Sequence, residues 1–132
     1  WSYGPELQEI MVAHIRLRER LRPYLRRIFR EASETLAPLM RPMFFGAPDD
    51  PACRDVEDQY FFGPDLVVAP VFSAGGRQRL VYLPSGTVWR DVRTGDFHEG
   101  GRSIVSPAPL ASIPVFARVG SAVLAEAFPD LP

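Results

Sequence analysis

Lysine is absent from this chain, and all fifteen of its basic residues are arginine. A need for fork-shaped donors at chosen sites would not remove lysine from every surface position. The bias points instead to a GC-rich source genome. A single cysteine, Cys53, excludes an intrachain disulfide and suits a reducing compartment, so a cytoplasmic location is expected. Only His14 and His98 represent histidine, and no His, Cys and carboxylate cluster stands at ligand spacing. No metal and no cofactor is expected. No apolar run approaches the roughly 20 residues of a membrane span, and no signal-peptide pattern is present. A Gly-rich phosphate loop and a Ser/Cys–His arrangement are also missing. Net charge is -1, which gives no global pull toward nucleic acid or an anionic membrane. The chain begins at Trp1 and not at Met, so it reads as a piece of a longer protein.

What is there is globular. The 132 residues are 46% hydrophobic and 23% charged, which rules out a disordered chain and suits one domain or two small pieces. The most specific run is residues 56–71, VEDQYFFGPDLVVAPV. Residues 56–62 read as a short amphipathic helix stopped by Gly63 and Pro64. Leu66-Val67-Val68-Ala69 then reads as a strand buried on both faces.

Residues 1–35 read as one long helix. Ser2 or Gly4 can cap it, and Pro5 suits its first turn. Ile10, His14, Leu17, Leu21, Leu25, Ile28 and Ala32 make one apolar stripe, which places His14 on a buried or half-buried face. Pro23 predicts a kink near Leu21. Arginines fill most of the remainder, but Glu19, Glu31 and Glu34 interrupt them. They read as a solvated face and not as a nucleic-acid surface. Residues 39–45, LMRPMFF, read as a buried strand with Pro42 at an edge or an end. Arg41 within it demands a carboxylate partner.

Asp49 and Asp50 lie in the Pro-flanked loop 46–51. Paired carboxylates are the apparatus of glycoside hydrolysis. Sequence neighbours in a turn, however, do not face one atom from opposite sides, and Asp before Pro serves backbone capping. Cys53 has no evident base partner and reads as an inert buried thiol. After Val71, short alternating segments are separated by Gly-rich turns: 78–83, 88–92, 103–105, 114–118 and 122–124. That spacing predicts an antiparallel sheet or sandwich, with Val88 and Trp89 in its core and His98 exposed in a turn. Residues 126–132 read as a frayed end. An exposed aromatic platform of Trp89, Tyr82 or Phe97 would make such a sandwich a carbohydrate-binding module.

The motifs WSYGPE (1–6), IRLRERLRPYL (15–25), PLMRPMF (38–44), FGAPDDPAC (45–53), EDQYFFGPDLVVAPV (57–71), VYLPSGTVW (81–89) and IPVFARVGS (113–121) resemble glycoside hydrolase family 31. The wording leans toward its α-xylosidase-like branch. The resemblance covers nearly the whole chain, in order. It implies an α+β fragment: the last helix–strand–helix elements of a (β/α)8 barrel over residues 1–64, then an antiparallel β-sandwich over 65–132. It makes 39–45 the last barrel strand and 56–62 the closing helix. It implies Gly where Leu36-Ala37 stands. The family's catalytic Asp nucleophile and Asp acid/base lie upstream, so no catalytic residue is expected here, and substrate is held by residues outside this chain. Asp49 and Asp50 are left as candidates to line the pocket. Surfaces meant for a barrel imply self-association when the chain stands alone.

Overall fold

The computed structural model describes residues 4–131. Two helices come first, α1 (Pro5–Arg20) and α2 (Arg22–Thr35). Strand β1 (Met40–Pro42), a single turn α3 (Met43–Gly46) and a 3-10 helix (Pro51–Asp55) follow. The remainder is β2 (Tyr60–Phe62), β3 (Leu66–Val68), β4 (Gln78–Leu83), β5 (Val88–Asp91), β6 (Phe97–Glu99), β7 (Arg102–Pro107), β8 (Val115–Arg118) and α4 (Ala122–Ala127).

The arginine-rich segment breaks where Pro23 requires. Leu21 is at once the last cap of α1 and the first cap of α2, and Pro23 sits in the first turn of α2, where its missing N–H costs little. Gly4 holds the N-cap of α1; Ser2, the other cap candidate, lies outside the described residues. At the far end, α2 closes on Leu36 with φ 61. It is the only non-glycine residue with positive φ among those described. A side chain in this left-handed region costs roughly 1–2 kcal/mol, which is why glycine is the usual occupant.

Six strands form one antiparallel sheet in the order β1-β2-β3-β8-β5-β6, while β4 and β7 form a separate ribbon. Alternation along the strands sorts side chains onto two faces. Phe61, Val67 and Phe116 lie opposite one another across β2, β3 and β8. On that face they meet Val81 and Leu83 of the ribbon, together with Met43, Cys53 and Trp89. Leu66 and Ala117 take the other face and meet Tyr24 and Ile28 of α2 and Val123 and Ala127 of α4. The result is three layers: ribbon, sheet, helices. Trp89 is fully buried, meets Phe61 edge-on at 5.9 Å and donates its indole N–H to the Pro84 carbonyl at 2.9 Å. Arg41, also buried, has the partner that its position demands: Glu31, at 2.8 Å.

Several expectations are corrected. Residues 39–45 are not one continuous strand. Only Met40–Pro42 is extended, it pairs antiparallel with β2, and the chain turns helical at Met43. Residues 56–62 are not a helix. The helical turn comes earlier, at Pro51–Asp55, and Tyr60-Phe61-Phe62 is extended, as an aromatic run on a half-buried pleat prefers. Gly63 is therefore the β2–β3 turn and not a helix cap; its φ is 61, and Tyr24 and Ile28 occupy the space a Cβ would need. β1 and β2 pair onward into β3, across residue 64. Residues 122–124 belong to helix α4, and Glu126, expected to fray, pairs with Arg27 at 2.6 Å. His14 is exposed, with Nδ1 2.8 Å from the Ile10 carbonyl oxygen. His98 is half-buried in β6, edge-on to Phe116 at 5.8 Å.

Candidate functional site

The loop after β1 carries the chain's candidate carboxylates, and the structure separates them. Asp49 is exposed. Asp50 is buried and caps the 3-10 helix: its Oδ1 accepts from the Ala52 N–H at 3.1 Å. Its Oδ2 accepts from the Tyr82 hydroxyl and from the Ser85 N–H, both at 2.8 Å. The loop is thereby tied to the end of β4 and to the start of the turn that leaves it. Burial pushes the Asp50 carboxyl up. The Ser85 N–H, the Tyr82 hydroxyl and the Ala52 N–H outweigh it and hold the group below its usual value. The stability it contributes is therefore present at neutral pH and lost as pH falls through the depressed pKa.

Two neighbours shift the opposite way. Burial, and then donation to Asp50, raises the Tyr82 phenol to about 12. Burial, and then the charge of Asp50, raises the Cys53 thiol to about 11. A thiol held neutral and fully buried is no nucleophile at neutral pH. The chemistry of this cluster is that of a structural joint, with its one anion saturated by donors and its thiol silenced.

Gln59 and Arg79 extend the joint. The Gln59 side chain donates to the Tyr82 carbonyl at 2.6 Å and accepts from the Tyr82 N–H at 2.9 Å. An amide side chain thus plays the part of a neighbouring strand along the outer edge of β4. The buried guanidinium of Arg79 pairs with the Asp58 carboxylate at 2.7 Å and donates to the Asp58 and Pro70 carbonyls. Neither residue was singled out from the sequence, where no periodicity marks a side chain that bonds backbone.

The aromatic platform does not form. Trp89 is buried, the Tyr82 hydroxyl is engaged by Asp50, and exposed Phe97 has the Arg90 guanidinium 5.0 Å above its ring. On the opposite side, α1 and the sheet leave an apolar groove of about 330 Å3 between Leu17, Leu21, Phe62, Leu66 and Val115. Among the described residues, no group of three or more His, Cys, Asp or Glu is arranged to hold a metal ion.

Residues 36–123 match the model of the glycosyl hydrolase family 31 C-terminal domain. The chain is 37% identical over 123 residues to alpha-glucosidase 2 of Bacillus thermoamyloliquefaciens, covering 93% of itself and 16% of that protein. It is 36% identical over 121 residues to the alpha-xylosidase of Saccharolobus solfataricus, covering 92% of itself and 17% of that protein. A crystal structure of a family 31 alpha-xylosidase from a soil metagenome, complexed with xylose, superimposes with TM-score 0.94 at 50% identity. That match covers 96% of this chain and 19% of the other. The buried joint that fixes the 46–51 loop, the antiparallel layers and these matches agree, and the chain belongs to glycoside hydrolase family 31, whose C-terminal domain it contains.

Proposed function

We propose that this chain is the C-terminal part of a retaining α-glycosidase that hydrolyses α-linked xylosides or glucosides. The observation that supports this most is the near whole-chain likeness to the xylose-bound alpha-xylosidase, at 50% identity. A retaining glycosidase needs two carboxyl groups about 5–5.5 Å apart, one forming the glycosyl-enzyme and the other acting as acid and then base. This chain supplies neither. Asp50 is committed to its three donors, and exposed Asp49 is its neighbour in sequence.

In this reading the α-glycoside is held by barrel residues outside the chain. Helices α1 and α2 are a late barrel element that joins the barrel to the sandwich. The role of the segment is mechanical: it closes the barrel and braces it from behind. The absence of any buried residue on α1 supports this, because its apolar positions are left for a surface beyond the segment.

The test is a pair of assays on aryl α-xyloside and aryl α-glucoside. The purified 132-residue chain is expected to turn over neither, and the product of the whole gene at least one. Turnover by the chain alone would end the claim that it carries no catalytic carboxylate. A folded whole product inactive on both substrates would remove the assigned reaction.

A further inference from the structure

We propose that the outer edge of β7 pairs with the same edge of a second copy of this chain, antiparallel and about a two-fold axis at Ile104. This inference is independent of the glycosidase reading.

A sheet edge with unpaired backbone groups is a template for another strand, and proteins blunt such edges by side-chain cover, proline, charge or short length. Three of the four edges here are blunted. β1 is three residues long and ends in Pro42. β6 is three residues long, ends in Glu99 and follows Asp96. On β4, Gln59 takes both backbone groups of Tyr82 and Arg79 Nε takes the Leu80 carbonyl. β7 is twice as long as β1 or β6, so its terminal Pro107 leaves the centre of the edge open, and among the described residues it pairs only with β4.

The groups that face outward from β7 follow from the ladder. Tyr82 gives its N–H and C=O to Gln59, on the side away from β7. Its partner Ser103 is therefore in a non-hydrogen-bonded pair, and so is Val105 opposite Leu80. Ser103 and Val105 thus turn their own N–H and C=O away from β4. Among the described residues no hydrogen bond reaches them from the outer side.

The strand complements itself in one register. With Ile104 opposite Ile104 of the second copy, Ser103 faces Val105 of the second copy, and the two exchange both backbone bonds. The symmetry repeats the exchange. Arg102, the only charge in the strand, faces Ser106 and not another arginine. The half-buried Ile104 side chains meet on the core side, where each already packs against the inter-sheet cluster.

Sedimentation velocity of the purified chain, across a dilution series to high micromolar concentration, should show a monomer–dimer equilibrium. Val105→Pro removes the outward N–H at a position where an edge strand tolerates proline. It should give a monomer with an unchanged circular dichroism spectrum. Ile104→Cys should cross-link to itself under mild oxidation, because directly opposed residues lie within disulfide reach. Ser103→Cys should not, because its two copies stand beyond the ~7 Å limit. Cys53 is fully buried and does not compete. A wild-type chain that stays monomeric overturns the proposal. So does a dimer that survives Val105→Pro, which would place the contact elsewhere, such as the stripe of α1. Cross-linking of Ser103→Cys as efficient as that of Ile104→Cys overturns the register.

Discussion

Helices α1 and α2 are continuous in sequence, alike in arginine content and joined at Leu21, yet only one is fastened to the fold. α2 buries Tyr24 and Ile28. Ile28 packs on Leu66 and Ala117, and the Tyr24 hydroxyl donates to the Phe62 carbonyl at 2.7 Å and accepts from the Asp65 N–H at 3.2 Å. Arg27 adds a bond to Glu126 of α4, which at such exposure contributes about 0–1 kcal/mol. α1 buries nothing, and Met11, Ile15 and the rest of its apolar positions face outward or line the open groove. The contrast teaches that an apolar stripe reports what a helix is able to bury, not what it does bury. The hold on α2 comes from one aliphatic side chain in a dry layer, one hydroxyl bridging two backbone groups of a turn, and the Glu31–Arg41 pair.

That comparison can be broken from either side. Ile28→Ala should cost about 2–5 kcal/mol in urea unfolding, by lost transfer energy and the cavity left behind. Tyr24→Phe leaves the Asp65 N–H and Phe62 carbonyl without their bridge and should cost about 1–3 kcal/mol. Hydrogen exchange should place the loss in α2 and the β2–β3 turn, with the ribbon unaffected. Leu36→Gly should act in the opposite direction. It relieves the left-handed backbone of a residue whose side chain is 89% exposed. After the added freedom of glycine in the unfolded state is subtracted, a gain of roughly 0.5 kcal/mol remains. Ile15→Ala should lie within about 0.5 kcal/mol of wild type, since the side chain touches little. A loss of the size expected for Ile28→Ala would show that α1 is as firmly docked as α2.

Much of this fold was legible where one residue type acts through local covalent geometry. Pro23 marked the α1–α2 break, Gly-rich turns marked the ribbon and β5–β6, and Arg41 announced a carboxylate partner. The misreadings share a cause. Residues 56–62 and 39–45 each mix a few apolar positions with Pro or Gly close by, and over so short a span periods of 2 and 3.6 cannot be told apart. The tertiary pairing of β2 with β1 and with β3 decided them. His14 was assigned to the interior because periodicity sorts faces without saying what lies opposite each face. In the loop 46–51 the reading of Asp50 as a cap was legible. Its bonds to Tyr82 and Ser85, more than thirty residues on, were not, because nothing local specifies them.

Gln59 sets how many neighbours the ribbon can take. An element with two open edges has a valence of two, and repeated addition makes a filament of unlimited length. With the Tyr82 groups of the β4 edge taken by the Gln59 amide and the Leu80 carbonyl by Arg79, the valence falls to one. A two-fold pairing through β7 then consumes every open edge and halts growth at a closed pair. In that pairing, two side chains bonded where a strand would lie separate a finite assembly from a fibre.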